Sequence, residues 1–263
     1  MKPMATQRET YWNRVATTYD QVFPCARIGQ AQREVVWGEL DRIFHSGQRV
    51  LELNCGTGID ALHLAQQGVR VVACDLAPQM IEIARHRANS SKCGELIEFC
   101  VLPTERIAEL CNDAPFDGVL SNFSGLNHVK DLSAVVGTLT RLLKPGARVL
   151  LCMAGHFAPA EMAWYLAHGN LRGAMRRFTR TTDDEALDVY YPTVIGLRRM
   201  FQPSFQLRNW KGIGVVLPSC LEPATRRLSG GFTGLAKADR LLGRVPILRG
   251  LADCVLLQFE LVS

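Results

Sequence analysis

The stretch Arg49-Val50-Leu51-Glu52-Leu53-Asn54-Cys55-Gly56-Thr57-Gly58-Ile59-Asp60-Ala61 decides the fold. Its first five residues form a short apolar strand that carries one acid. Asn54 to Gly58 then turns the chain: glycine reaches dihedrals closed to other residues, and Asn is the next most tolerant of left-handed ones. Residues 60–67 read as a helix that ends at Gly68, a natural residue to follow a helix C-terminus. A strand that turns through glycines into a helix aims free N–H groups at a bound nucleotide. Gly56-Thr57-Gly58-Ile59-Asp60-Ala61 also fits the G-x-G-x-x-A of a dinucleotide site, so at this point two kinds of nucleotide cofactor remain open.

Outward from this turn, strands and helices alternate. Residues 69–74 read as a strand followed directly by Asp75, and residues 78–89 as a helix with Pro78 in its first turn. Residues 96–102, 116–121 and 147–153 read as further strands, with a helix over 132–143 stopped by Lys144-Pro145-Gly146. Such alternation calls for an open, doubly wound α/β sheet. Two helices precede it, over 5–23 and 29–45. After His156 the alternation lapses. Residues 159–178 read as one amphipathic helix, 187–191 as a strand, 193–201 as a helix and 205–217 as a long strand. Residues 219–249 look like a basic, Gly-rich insertion, and 253–262 like an apolar terminal strand.

The bulk properties narrow the class. The 263 residues can bury a full core. No apolar run approaches the ~20 residues of a spanning helix, and the N-terminus lacks the apolar region of a signal peptide, so a cytoplasmic protein is expected. Nine cysteines, none spaced C-x-x-C, speak against both a disulfide framework and a metal site. From residue 160 onward there are 14 basic and 9 acidic residues, which accounts for the net charge of +5. Arg172, Arg176, Arg177, Arg180, Arg198-Arg199 and Arg226-Arg227 carry that bias, which favours an anionic partner or is simply a solvated face.

Glu52 and Asp75 bear on the cofactor. An acid after the second strand accepts hydrogen bonds from ribose hydroxyls in either kind of site. Glu52, four residues before Gly56, would repel a pyrophosphate but suits the ammonium of a methionine moiety. The nucleotide strand also begins near residue 49, after two helices, whereas a dinucleotide fold usually begins with it.

The chain resembles a class I S-adenosylmethionine-dependent methyltransferase of the small-molecule type. Residues 50–58 resemble the family's motif I, and Val72-Ala73-Cys74-Asp75-Leu76-Ala77-Pro78-Gln79-Met80 its motif II. Phe116-Asp117-Gly118-Val119-Leu120-Ser121-Asn122-Phe123 and Leu142-Leu143-Lys144-Pro145-Gly146-Ala147-Arg148-Val149-Leu150 resemble its fourth- and fifth-strand motifs. Tyr11 to Asp20 resembles the helix that closes over the cofactor. The resemblance implies a Rossmann-like, mostly parallel seven-stranded sheet with an antiparallel last strand and a partly helical substrate cap. It divides the chain into closing helices (1–45), a cofactor-binding core (46–155), a cap with late strands (156–252) and a terminal strand (253–263). It implies S-adenosyl-L-methionine held by Tyr11, Tyr19, Glu52, Asn54, Cys55, Gly56, Thr57, Gly58, Asp75, Leu76, Met80, Thr104, Glu105, Asn122, Phe123 and Ser124. Two positions depart from the family: Asn54 stands where Gly is usual, and Pro103-Thr104-Glu105 where an Asp often meets the adenine.

The implied reaction is in-line transfer of a methyl group to oxygen, nitrogen or carbon of a small molecule, in which the protein supplies position and electrostatics. A hydroxyl acceptor needs a general base near neutral pH. His128 and His156, after the fourth and fifth strands, are the candidates; a hydrogen-bonding surface histidine is the plain alternative for each. Asn127, Trp164 and Tyr191 are candidates to line the substrate pocket, with core packing as the alternative. Nucleic-acid methylation is disfavoured, since Ser121-Asn122-Phe123-Ser124 lacks the prolines of an amino-methylating turn. An NAD-dependent oxidoreductase and a non-catalytic binding module remain as other classes. The basic, Leu-rich residues 226–251 suggest a peripheral contact with an anionic membrane.

Overall fold

Val50, Val71, Leu120 and Leu150 point to one side of a sheet, and their chain neighbours Leu51, Val72, Val119 and Val149 to the other. Side chains alternate along a strand, so a continuous apolar run fills two cores at once. In the computed structural model, which describes residues 6–23, 25–179, 187–225 and 231–262, this run becomes the centre of a seven-stranded sheet. The strands are β1 (Arg49–Leu53), β2 (Arg70–Asp75), β3 (Ile97–Val101), β4 (Phe116–Ser121), β5 (Leu143–Ala154), β6 (Phe205–Ile213) and β7 (Cys254–Leu261). Their order is β3-β2-β1-β4-β5-β7-β6, with β7 antiparallel to both neighbours. The fold is the expected Rossmann-like one.

Helices α1 (Gln7–Val22) and α2 (Arg27–Ile43) precede the sheet, and α3 (Ile59–Gln66), α4 (Pro78–Asn89) and α5 (Leu132–Leu142) connect its strands. α2 and α3 cover one face through Val36, Leu40, Ala61 and Leu64; α5 covers the other through Val135, Val136 and Leu139. Local chemistry fixes the starts of two helices. Thr6 Oγ1 accepts from the Glu9 N–H at 3.2 Å, and Asp131 Oδ1 from the Ala134 N–H at 3.0 Å. β1 pairs with β2 on one side and β4 on the other, so the chain reverses its winding there. The crevice at that reversal, beyond the strand C-termini, is where such sheets bind ligands.

The second half departs from expectation in four places. The helix expected over 159–178 is two, α6 (Pro159–Ala167) and α7 (Leu171–Thr179), broken at Gly169, whose φ is +69°. Residues 187–191 form no strand, although their composition suits one. Tyr190 N–H instead donates to Asn127 O at 2.7 Å, outside the sheet. The late strand ends at Ile213 because Gly214 takes a φ of +80°. β5 starts at Leu143, earlier than expected, because Leu143 already pairs with Phe116; the register then shifts around Gly146, whose φ is +78°, and resumes with Arg148 opposite Gly118. Beyond α8 (Val194–Phe201), the stretch expected as an insertion contains α9 (Glu222–Thr225) and α10 (Phe232–Leu242). Arg180, Arg226 and Arg227 lie outside the described residues. Among the described residues no helix is long and apolar enough to cross a membrane.

α7 and α10 bury charge. Arg177, 3% exposed, reaches Glu161 through Nε (2.9 Å) and Nη2 (2.6 Å), and Asp253 Oδ1 through Nη2 (2.6 Å). Its Nη1 donates to the carbonyls of Gly155 (2.6 Å) and Asp253 (2.8 Å). Asp239 on α10 accepts from the N–H groups of Gly214, Val216 and Leu217.

Candidate functional site

The turn after β1 has three left-handed residues: Asn54 (φ +56°), Gly56 (φ +54°) and Gly58 (φ +73°). Asn54 adopts the conformation usually given to Gly, and its Oδ1 accepts from Thr104 Oγ (3.3 Å) and Ser121 Oγ (3.4 Å). Gly58 leaves no room for a side chain: a Cβ there would lie 2.8 Å from Ala84 Cβ. Asp75, at the end of β2, accepts from the N–H groups of Gly56 (3.0 Å) and Ala77 (2.9 Å). Burial raises its pKa, and those two backbone bonds oppose the shift.

α1 closes over this turn. Arg8 forks onto Glu105 with two bonds of 2.8 Å and donates to His128 O at 2.7 Å. Asn13 accepts from the Gln79 N–H, and Asp20 binds Thr57 Oγ and Arg87. The result is a narrow cleft. Tyr19, Asn54, Gly56, Asp75, Leu76, Met80, Asn122, Phe123, Ser124 and His128 line it, together with Arg8, Trp12 and Gly125. A narrower arm continues past Cys55 and Thr57 to Arg33 and Asp60.

Opposite charges meet at the end of that arm. Asp60 accepts from Arg33 at 2.5 Å, Trp37 Nε1 at 2.7 Å and Asn122 Nδ2 at 2.8 Å. Burial would lower the Arg33 pKa, but Asp60 outweighs it and raises it. Glu52 is 1% exposed, and among the described residues its Oε2 has no hydrogen-bond partner; nor does Arg33 Nε. Burial, then the Asp60 charge, push the Glu52 carboxyl well above its usual range, against the pull of Arg33. An unpaired carboxylate oxygen and an unpaired guanidinium N–H in one charge cluster suit a zwitterion, an ammonium with its carboxylate.

His128 stands on the cleft wall, edge-on to Trp12 with ring centroids 5.5 Å apart. Its Nδ1 lies 3.2 Å from Asp188 O. A carbonyl only accepts, so Nδ1 carries the proton and the neutral ring keeps its lone pair on Nε2. Burial lowers the His128 pKa and nearby Arg8 adds to this, while the bond to Asp188 opposes.

Several expected residues sit elsewhere. Tyr11 packs edge-on against Trp12 at 5.2 Å rather than lining the cleft; the neighbouring Trp12 takes that place. Thr104 holds Asn54, and Glu105 holds Arg8. Gly58 packs on α4, and Glu52 is buried beside the charges of Asp60, Arg33 and Asp75 rather than on the cleft wall. Asn127 is fully buried and does not face the cleft: Nδ2 donates to Ala154 O and Tyr190 O, and Oδ1 accepts from the Ala154 N–H. Trp164 packs on His168 at 3.9 Å, and Tyr191 lies under Arg177 at 5.4 Å. His156 lines a different cavity, with Nδ1 2.9 Å from Tyr191 O.

Residues 50–146 match the family model described as a methyltransferase domain. Over these residues the chain is similar to class I S-adenosylmethionine-dependent methyltransferases. The cofactor of that class is S-adenosylmethionine, and the residues at the turn fit it: Asp75 for the ribose, the charge cluster for the methionine end. The dinucleotide alternative falls with the same match. A ubiquinone biosynthesis O-methyltransferase of Xylella fastidiosa (strain 9a5c) is 39% identical over 111 residues, covering 42% of this chain and 43% of that protein. One of Idiomarina loihiensis is 31% identical over 126 residues, covering 48% and 49%. The chain thus spans less than half the length of these curated relatives. The magnesium protoporphyrin IX methyltransferase of Synechocystis, solved with bound SAH, shares the fold at a TM-score of 0.63. It is 15% identical, over 96% of this chain and 97% of that one. The CcbJ methyltransferase of Streptomyces caelestis does so at 0.64, with 14% identity over 97% and 98%.

Proposed function

We propose that the protein transfers the methyl group of S-adenosylmethionine to a hydroxyl of a small molecule, with His128 as the general base. The observation that carries the choice of oxygen is the His128 ring: it lines the same cleft as Asp75 and Asn54, and its Nδ1 is engaged by Asp188 O. Relatives over the core named as O-methyltransferases support the same choice. S-adenosylmethionine, when bound, supplies the electrophilic methyl carbon. Asp75 takes the ribose hydroxyls, and Tyr19 and Trp12 on α1 exclude water. Glu52 and Arg33 take the ammonium and carboxylate of the methionine end. His128 accepts the hydroxyl proton at Nε2 as the oxygen attacks, and later returns it to solvent. Its depressed pKa keeps it neutral, hence competent, at pH 7. Residues 156–252 serve as the substrate cap. The nine cysteines are all unpaired, in keeping with the reducing cytoplasm.

Calorimetric titration with S-adenosylmethionine and with NADH, then labelled-methyl transfer to a panel of phenols, amines and carbon acids, tests the reading. The phenols should be methylated, and kcat should rise with pH through a pKa below that of free histidine. His128→Asn should cost about 10²–10⁴-fold in kcat and remove that limb, with cofactor affinity kept. Methylation of amines alone, or an unchanged kcat in His128→Asn, refutes it.

A further inference from the structure

The cavity lined by His156 is separate from the cofactor cleft. It holds about 420 Å³, open to solvent, between the end of β5, the start of α8 and residues 248–251. Val194, Leu207, Trp210 and Val255 give it a hydrocarbon wall, and no acidic residue lines it among the described residues. Its mouth is apolar too. Phe157 and Ile195 line it and are 38% and 65% exposed. Phe178, itself 43% exposed, meets Phe157 with centroids 6.2 Å apart. α7 thus buries an arginine and turns Leu171, Met175 and Phe178 outward. Arg198, one turn beyond Ile195 on α8, also lines the cavity and makes no ion pair among the described residues.

We propose that this cavity binds the hydrocarbon chain of an anionic amphiphile, with the carboxylate or phosphate head on Arg198. Cavities of this size and lining ordinarily hold a ligand, and an exposed apolar rim beside a cation is what such a molecule completes. His156 does not compete for the head through Nδ1, which faces Tyr191 O. The inference does not rest on the methyl-transfer reading, since binding is measured without S-adenosylmethionine.

The test is calorimetric titration of the full chain with hexanoate, octanoate, decanoate and dodecanoate. Affinity should rise about fourfold per added methylene, ~0.8 kcal/mol each. A Cβ on Gly250 would meet Trp210 Cη2 at 3.9 Å, an ordinary contact, so Gly250→Leu fits the backbone and fills the cavity. It should weaken dodecanoate at least about tenfold, the loss of two methylenes of burial. Arg198→Gln should weaken dodecanoate while leaving dodecanol unchanged. Ile195→Asp, at the exposed mouth, checks the result with a variant that the core does not feel. Flotation with phosphatidylglycerol vesicles, abolished by Gly250→Leu, would place the chain in a bilayer lipid; carboxylate binding without flotation would make it a free amphiphile, and both support the site. No binding, affinity flat with chain length, or wild-type affinity in both Gly250→Leu and Arg198→Gln overturns it.

Discussion

Replacing Arg177 by Met should destabilise the whole domain, and the structure sets the size of the effect. Arg177 is 3% exposed, and its partners Glu161 and Asp253 are 1% and 4% exposed. Removing the guanidinium leaves Glu161 with Arg176 alone, at 2.9 and 2.6 Å, and leaves Asp253 with the Ser219 N–H at 2.9 Å. It also removes the guanidinium donor from the Gly155 carbonyl, and one of two donors from the Asp253 carbonyl, which keeps the Gly155 N–H at 2.9 Å. Breaking a buried pair by deleting one partner costs about 3–5 kcal/mol. The carboxyl gives an independent figure. Burial alone would raise the Glu161 pKa, but Arg177 and Arg176 bring it down to about 2 from 4.5. A shift of that size corresponds to about 3 kcal/mol shared between the two arginines. Urea unfolding followed by circular dichroism should therefore place the Arg177→Met midpoint about 1–2 M below wild type at pH 7. The pH dependence has a definite sign. A depressed folded-state pKa stabilises fully above the unfolded value and is lost as pH falls through the folded one. The gap between wild type and variant should hold at pH 7 and narrow between about 4.5 and about 2. A midpoint within ~0.2 M of wild type at pH 7, or a gap that persists at pH 2, would refute the assignment of this cluster as a structural clasp.

Asp75→Ala should weaken S-adenosylmethionine about 10- to 100-fold by calorimetry, since charge-assisted bonds contribute about 1.5–3 kcal/mol each. Unchanged affinity would mean that the turn after β1 is not the cofactor site. Gly58→Ala should lower the urea midpoint by more than ordinary helix-start substitutions, because its Cβ would lie 2.8 Å from Ala84 Cβ at a φ of +73°. A thermal melt like that of wild type would contradict the packing described. Glu52 should release a proton when S-adenosylmethionine binds, because its carboxyl is held well above the usual range until an ammonium arrives. Titrations in buffers of different ionisation enthalpy at pH 6 should show that release, and Glu52→Gln should abolish it; equal heats in all buffers would tell against Glu52 meeting the ammonium.

The core was legible because each strand is a short apolar run closed by polar or glycine residues. The sequence bounds of β1 and β4 coincide with the observed ones. Asn54 was readable as a left-handed residue because only Gly and Asn enter that region readily. Residues 156–252 were harder to read. α7 and α10 turn charged side chains inward and leucines outward, which inverts the pattern from which helix faces are inferred. Residues 187–191 have strand composition, but their backbone partner is Asn127, a residue some 60 positions away that no periodicity announces. Arg8, Arg33 and Asp60 reach the site although the sequence reading assigned none of them to it. One signal was present for Arg33: it falls on the same stripe as Val36 and Leu40, the buried face of α2, where a charge needs a partner. Trp12 rather than Tyr11 faces the cleft because neighbouring helix positions point about 100° apart, and composition alone does not fix the rotation.

The placement of β7 between β5 and β6 has a consequence for how the molecule is made. Among the described residues β6 pairs with no strand other than β7, and β7 is translated roughly forty residues later. At about 5–20 residues per second, β6 waits some seconds on the ribosome with both edges unpaired, while the flank of β5 also stands open. The cofactor turn, β1 and β4 are by then complete, so the nascent chain can hold its ligand before its sheet is closed. The newborn protein therefore passes through an interval in which bare strand edges invite pairing with a neighbouring chain, and its yield in cells should depend on how quickly β7 arrives.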